Sequence, residues 1–164
     1  MPLINNEMKM PKLSNPHYFR RRIVMLSVSL YLISLSLPAF QTNYHHGDWY
    51  GFSVLLQGWL GMFAHNYAWF GNIFLLISNI MYLCVKSNAF KITAFCISIA
   101  ALLIALSCYF YRNILVLPFH SADTPEYIRT FKIGYYFWLA SFFVSTAGQL
   151  KDILISKIET CGSK

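Results

Sequence analysis

Four apolar runs separated by polar segments dominate the sequence and predict four transmembrane helices. Each run contains seven to ten Leu, Ile, Val or Phe residues and no Asp, Glu, Lys or Arg. Because each such residue favours insertion by a few tenths of a kcal/mol, we expect every run to enter the bilayer. The predicted spans are residues 23–40, 68–85, 92–111 and 133–150. The short polar turn after residue 85 predicts that the second and third helices form an antiparallel hairpin.

The flanking segments complete the predicted domain organisation. Residues 1–22 form a flexible cytoplasmic arm, residues 23–158 form the transmembrane domain, and residues 159–164 form a cytoplasmic tail. The first apolar run ends in Leu-Pro-Ala-Phe without an A-x-A cleavage site, so we interpret it as a helix and not as a signal peptide. The 57% hydrophobic content and only 12% charged residues support a membrane protein.

The outer loops carry patterns of their own. In the first, apolar residues recur at helical spacing, at Phe52, Leu55, Leu56, Trp59, Leu60 and Phe63. Asp48 is a candidate N-terminal cap for this helix. The helix lies either in the outer interface, partly re-entrant, or against the bundle as a lid. In the second loop, Thr124-Pro125-Glu126 predicts that helix 4 starts near Pro125, and Ile153 to Ile158 predict that it continues past Leu150.

The fold class predicted from these patterns is all-α: a four-transmembrane-helix bundle with an outer interfacial amphipathic helix between helices 1 and 2. Its orientation follows from the cations. Ten Lys and Arg residues lie on one predicted side of the membrane: before helix 1, between helices 2 and 3, or after helix 4. The other side has only Arg112, Arg129 and Lys132. Both termini are therefore predicted to be cytoplasmic in a bacterial inner (cell) membrane. The four tryptophans fall on the opposite, outer side, where indoles settle among headgroups.

Stripes of small and polar residues predict which helix faces pack together. Two asparagines in hydrocarbon need hydrogen-bond partners, so their face of helix 2 should point inward. The predicted packing residues are Asn72, Asn79, Ser98, Gly134, Ser141, Ser145 and Gly148. The four cysteines form no CxxC pair, and we interpret them as reduced.

Three motif groups resemble a widespread family of uncharacterised bacterial inner-membrane proteins. They are Leu-Pro-Ala-Phe at 37–40, Gly-Trp-Leu-Gly at 58–61 with Ala-Trp-Phe-Gly-Asn at 68–72, and Gly-Tyr-Tyr-Phe-Trp-Leu-Ala-Ser at 134–141. The family pattern has Ala at Gly71, Pro at Ile73 and Trp-Leu at positions 136–137. The resemblance implies the four-span layout and no activity, because the family has none assigned. In size and layout the chain also looks like small exclusion and immunity membrane proteins.

Chemistry-bearing residues are sparse. The predicted spans hold no ionisable Asp, Glu, Lys or Arg, which disfavours coupled transport. The candidate metal ligands, His45, His46, Asp48, His65 and His120, match no known ligand spacing. Ser121 beside His120, with Asp123 and Glu126 nearby, lacks the surroundings of a catalytic nucleophile. We therefore expect no catalytic, cofactor or metal site, and no enzyme activity.

Three functional hypotheses remain, and the first is favoured. The chain is a non-enzymatic protein that binds another membrane protein or an incoming phage or toxin component, as in superinfection exclusion, plasmid exclusion or toxin immunity. The candidate contact residues are Trp49, Phe52, Trp59, Phe63, His120 and Tyr127. The alternatives are a small transporter or channel subunit lined by Asn72, Asn79 and Ser141, and a membrane enzyme or metal protein using the outer histidines. The net charge is +7, and the positively charged residues flank apolar runs, so lipid and not nucleic acid is the expected partner. Whether the chain forms a homo-oligomer is left open.

Overall fold

The computed structural model describes residues 16–43, 48–84, 87–114 and 126–162. The described residues are 78% helical and include five α-helices. The helices are α1 (Pro16–Ser36), α2 (Gly51–Gln57), α3 (Gly71–Leu83), α4 (Asn88–Ser107) and α5 (Ile133–Gly162), with 3₁₀ helices η1 (Gly58–Ala64) and η2 (Ala68–Phe70). Four strands accompany them: β1 (Pro38–Thr42), β2 (Asp48–Tyr50), β3 (Asn113–Ile114) and β4 (Glu126–Phe131).

Helices α1, α3, α4 and α5 pack side by side with alternating directions. Helix α1 runs antiparallel to α5, α3 runs antiparallel to α4, and α3 runs parallel to α5. For α1 and α5, Arg20 contacts Asp152 and Ser27 contacts Ser141. For α3 and α4, Ser78 contacts Ala94 and Gly71 lies against Ala101. For α3 and α5, Asn72 contacts Trp138 and Asn79 contacts Ser145. The start of α1, the α3–α4 turn and the end of α5 therefore lie together. We call this the cationic end, because it carries Arg20, Lys91 and Lys157.

Small side chains line the helix contacts. On α4, Ala94, Ser98, Ala101 and Ala105 are buried. On α5, Gly134, Ser141, Ser145 and Gly148 are buried. A Cβ atom added to Gly71 would lie 3.1 Å from a backbone carbonyl oxygen of α4, so this glycine permits close backbone approach.

Large apolar side chains point outward from the same helices. Leu32, Leu76, Leu103 and Phe143 are all more than half exposed. The described helices thus have a small, partly polar interior and an apolar exterior. A water-soluble domain normally shows the reverse arrangement.

The predicted span boundaries need correction. By length and composition, α4 alone among the described helices is suited to cross a membrane. Helix α1 ends at Ser36, not at residue 40, because Pro38 lacks an N–H and begins β1. The α-helical part of the second predicted span is the 13 residues of α3, while α5 is long but interrupted by small and polar residues. Helix α5 does continue past Leu150, to Gly162.

The prediction of a helical fold is confirmed in its coarse form, since the described residues are 78% helical. The structure is not all-α, because the segments between the helices form a four-stranded sheet in the order β2-β1-β4-β3. Strand β1 pairs antiparallel with β2 and β4, with Phe40 opposite Phe131. The predicted helix start near Pro125 is also wrong: β4 occupies 126–131 and α5 begins at Ile133. The β-branched and aromatic residues of 127–131 favour a strand. We call this end of the bundle the sheet end.

The predicted outer amphipathic helix is helical but broken in two. Helix α2 passes directly into η1. The residue that follows η1, His65, has a left-handed backbone conformation with φ 61°. Asp48 is not its cap: Asp48 lies in β2, within 3.5 Å of the Lys132 ammonium nitrogen, and Tyr50 occupies the N-cap position. Phe52, the first residue of the predicted apolar stripe, is exposed.

Candidate functional site

A cavity of about 100 Å³ lies at the sheet end, between the helix bundle, the sheet and the α2–η1 segment. We call it the sheet-end cavity. Its wall is mainly apolar and aromatic, and includes Phe40, Trp49, Leu55, Trp69, Ile128 and Trp138. No charged side chain of the described residues lines it. Sites for small ligands typically combine such an apolar wall with a few polar groups.

Hydrogen bonds and close packing hold the aromatic wall in place. Trp69 Nε1 donates to the carbonyl oxygen of Leu55 at 2.9 Å, which ties η2 to α2. A Cβ atom at Gly58 would lie 2.5 Å from Trp69 Cδ1, so the indole position requires glycine there. Trp138 Nε1 donates to Asn72 Oδ1 at 2.8 Å, which joins α5 to α3. The cavity wall is therefore assembled from elements distant in sequence.

Asn66 closes one side of the cavity and is fully engaged. Its Nδ2 donates to the carbonyl oxygens of Tyr111 at 2.8 Å and Asn113 at 3.3 Å, and its Oδ1 accepts from the amide of Ala68 at 3.2 Å. These bonds fix the turn between η1 and η2 against the segment that follows α4. Asn66 thus holds backbone in position, and its two Nδ2 hydrogens are both used.

Two residues that line the cavity each have a buried side-chain atom without a hydrogen-bond partner within the described ranges: the Tyr135 hydroxyl and Gln57 Oε1. Tyr135 is only 4% exposed. Its ring lies between Phe131, with ring centroids 4.2 Å apart, and Trp138 at 5.7 Å. A buried polar atom without a partner costs about 1–3 kcal/mol, so these two atoms require an explanation.

The predicted contact residues occupy three different places. Trp49 is half-buried and lines the cavity, with its ring stacked 6.3 Å from that of Phe40. Phe52, Trp59 and Phe63 are exposed on the outer surface of α2 and η1. Tyr127 is exposed on β4, and His120 lies outside the described residues.

The predicted packing residues lie inside the bundle or at its helix contacts. Asn72 accepts from Trp138 Nε1, and Asn79 Oδ1 accepts from Ser145 Oγ at 2.7 Å. The Ser98 hydroxyl lies 2.7 Å from that of Thr146. The remaining members are Ser141, whose Oγ donates to the Trp138 carbonyl oxygen at 2.6 Å, and the buried Gly134 and Gly148.

The residues of the metal and catalytic alternatives are not brought together in the described part of the chain. His65 is exposed at the end of η1 and Asp48 lies in β2. The side chains of His45, His46, His120, Ser121, Asp123 and Glu126 lie outside what the structure describes. Over residues 16–43, 48–84, 87–114 and 126–162, no group of three or more His, Cys, Asp or Glu side chains converges.

Several important residues were missed from the sequence. Gln149 is buried and its Nε2 donates to Ser78 Oγ at 2.9 Å and Ser145 Oγ at 3.1 Å. A glutamine inside an apolar run was the available signal. Tyr135 and Gln57 carried no such signal, because one is an aromatic residue among aromatics and the other lies off the apolar stripe.

No protein-family model matches the chain, and neither a curated protein nor a solved structure is similar to it. The resemblance to the four-span inner-membrane family thus stays a prediction that rests on its motifs.

Proposed function

We propose that the chain is a non-enzymatic, membrane-embedded binding protein of the bacterial inner membrane. Its four main helices cross the bilayer, its cationic end faces the cytoplasm, and its sheet end faces outward to bind another membrane protein or an incoming phage or toxin component. Superinfection exclusion, plasmid exclusion and toxin immunity are the concrete forms of this function.

The observation that carries the proposal is the distribution of side chains across the bundle. Leu103 is 62% exposed and Phe143 is 65% exposed, whereas Ser98 and Ser145 are completely buried. In water, such an apolar surface would drive aggregation. In a bilayer, the apolar side chains face apolar lipid chains, and the buried hydroxyls form hydrogen bonds between helices. Helix α4, with 20 residues, is about 30 Å long, the thickness of the hydrocarbon core.

The shorter helices also fit a bilayer when the flanking segments are included. Arg21 and Arg22 are exposed near the start of α1, and cations close to a helix end reach the headgroups. The apolar α2–η1 segment precedes α3 and covers the sheet end. A short apolar stretch is accommodated by local thinning of the bilayer and by side chains that reach to the interface.

Accessibility measurements test this arrangement. Single cysteines replace Leu103 and Phe143 in a variant without its native cysteines, each carrying a spin label, with Arg129 and Lys157 as exposed polar controls. In membranes, we expect the labels at 103 and 143 to be accessible to oxygen and shielded from a water-soluble nickel complex. Labels at both apolar positions that the nickel complex reaches freely would exclude a lipid-facing surface.

The orientation is tested with the two control positions. A membrane-impermeant maleimide should label Arg129→Cys in intact cells, because β4 lies at the sheet end, and should label Lys157→Cys only after permeabilisation. Labelling of position 157 in intact cells together with protection of position 129 would reverse the proposed topology.

Partner binding is tested by photo-crosslinking from the sheet end. The exposed Trp59 and Tyr127 are each replaced with a photoreactive phenylalanine, and the lipid-facing Leu103 serves as the control position. We expect both sheet-end positions to form an adduct with the same protein, and the control to form lipid adducts only. Lipid adducts alone from all three positions would contradict a protein partner.

The hydrogen bonds that Asn72, Asn79 and Ser141 make within the bundle give no support to a solute path.

A further inference from the structure

A groove of about 240 Å³ lies at the cationic end, between the start of α4 and the second half of α5. We call it the cationic groove. Its wall combines two lysines with two isoleucines and two uncharged polar residues: Lys91, Lys157, Ile92, Ile153, Asn88 and Ser156. No acidic side chain of the described residues lines it. An anion in the groove therefore meets positive charge in the described wall and no negative charge.

Buried positive charge exceeds negative charge beside this groove. Lys91 Nζ lies 3.7 Å from Asp152 Oδ2, and Arg20 Nε lies 2.9 Å from the same oxygen. The Lys91 and Arg20 side chains are only 12% and 7% exposed, so two largely buried cations share one carboxylate. The other carboxylate side chain that the structure describes, Asp48, lies at the sheet end. Because buried charges normally have a counter-charge, this cluster of described side chains lacks one negative charge.

We propose that the cationic groove binds the headgroup phosphate of an anionic phospholipid, an inference that rests on the proposed membrane location. A net negative lipid supplies the missing charge, and lysine is a common phosphate ligand. Lys157 is exposed and forms no ion pair among the described side chains, and its flexible stem lets the ammonium reach a phosphate in the groove that this residue lines. Basic pockets between helices on the cytoplasmic side are typical headgroup sites.

The size and depth of the groove fit this occupant. A cavity of about 150 Å³ takes up benzene, which has one non-hydrogen atom more than a phosphate group. The groove, at about 240 Å³, is larger. Lys91 lies in the first turn of α4, a helix as long as the hydrocarbon core is thick, so the groove opens at the edge of the hydrocarbon. Ile92 is 52% exposed there and offers the acyl chains an apolar contact that free phosphate does not use.

Fluorescence quenching by brominated lipids tests the site. Ile158→Cys, beside Lys157, carries a fluorophore in a variant without its native cysteines, in phosphatidylcholine vesicles that contain brominated phosphatidylglycerol or brominated phosphatidylcholine. We expect phosphatidylglycerol to associate at this position roughly fivefold more tightly than phosphatidylcholine, or tighter still, since one lysine near a lipid surface contributes about this factor. A fluorophore at the lipid-facing Leu103 is the control and should show no preference. Equal association of the two lipids at position 158 would overturn the proposal.

Glutamine substitutions locate the phosphate. Lys157→Gln should weaken phosphatidylglycerol association roughly fivefold and leave phosphatidylcholine unaffected. Lys91→Gln should also weaken it, while Arg20 stays paired with Asp152. Lys151→Gln is the matched control, since Lys151 is an exposed lysine on α5 outside the described groove wall. Equal losses from Lys151→Gln and Lys157→Gln would mean that the charge attracts lipid diffusely, and would refute the site.

Inorganic phosphate separates a lipid headgroup from the free ion. At constant ionic strength, we expect added inorganic phosphate to leave the quenching at position 158 unchanged. Displacement of phosphatidylglycerol would show that the groove takes free phosphate and would overturn the lipid assignment. Lipid-facing labels at 103 and 143 without a lipid preference at 158 would reject this site alone, whereas labels that the nickel complex reaches would reject the membrane location itself.

Discussion

At the cationic end, the Asp152 carboxylate joins three helices, and its removal should destabilise the bundle strongly. Its Oδ2 lies 2.9 Å from Arg20 Nε on α1 and 3.7 Å from Lys91 Nζ on α4. Arg20 and Asp152 are each only 6% exposed, and the guanidinium lies 5.8 Å from the ring centroid of Tyr82 on α3. Asp152→Ala therefore leaves two cations without their carboxylate. Breaking a buried pair in this way costs roughly 3–5 kcal/mol, much of it from the remaining buried charge.

The same geometry ranks the other changes. Lys91→Ala preserves the shorter Arg20 pair, so we expect it to cost less than Asp152→Ala. The double variant Arg20→Met with Asp152→Leu removes both charges and should be more stable than Asp152→Ala alone. Lys157→Ala, an exposed position on the same helix, is the control and should change stability by about 0.5 kcal/mol at most.

Stability is measured by titrating the purified protein from mild detergent into SDS while following tryptophan fluorescence and helical circular dichroism. The reasoning would be refuted if Asp152→Ala cost no more than Lys157→Ala. It would also be refuted if the losses in the single variants Arg20→Met and Asp152→Leu simply added in the double variant, because paired charges must couple.

Four further changes are checked by the same titration. Gly134→Ala should cost roughly 1–3 kcal/mol, because its Cβ would lie 2.7 Å from a backbone carbonyl oxygen. Gly148→Ala should cost a similar amount, since its Cβ would meet both γ carbons of Ile23, and a β-branched side chain in a helix has little freedom to turn aside. Asn79→Ala, which leaves the Ser145 hydroxyl without its acceptor at 2.7 Å, should cost about 0.6–1.7 kcal/mol. His65→Gly should be neutral or stabilising by up to about 1 kcal/mol, since φ is 61° there; a clear loss would indicate that the imidazole makes a contact of its own.

The sequence predicted the helical segments and their inward faces because both depend on local periodicity. Ser98 on α4 and Ser141 on α5 belong to stripes of small residues at helical spacing, and both are fully buried. The helical repeat of apolar residues after position 51 likewise indicated the helical α2–η1 segment. Each of these inferences needed no information beyond one or two turns of chain.

The sheet depended on partners far away in the chain. Phe40 pairs with Phe131, and this pairing places Pro-Ala-Phe at 38–40 in a strand. A short apolar stretch is compatible with helix or strand, and only a hydrogen-bonding partner across the sheet decides between them.

The candidate site was decided entirely by tertiary structure. Gln57 and Tyr135 stand 78 positions apart by their numbers, and each looked ordinary in its own segment. The cavity exists because α2, η2, the sheet and α5 converge around it. Local pattern determines which residues turn inward, whereas the folded chain determines which inward-facing polar atoms meet a partner and which, like the Tyr135 hydroxyl, meet none among the described residues.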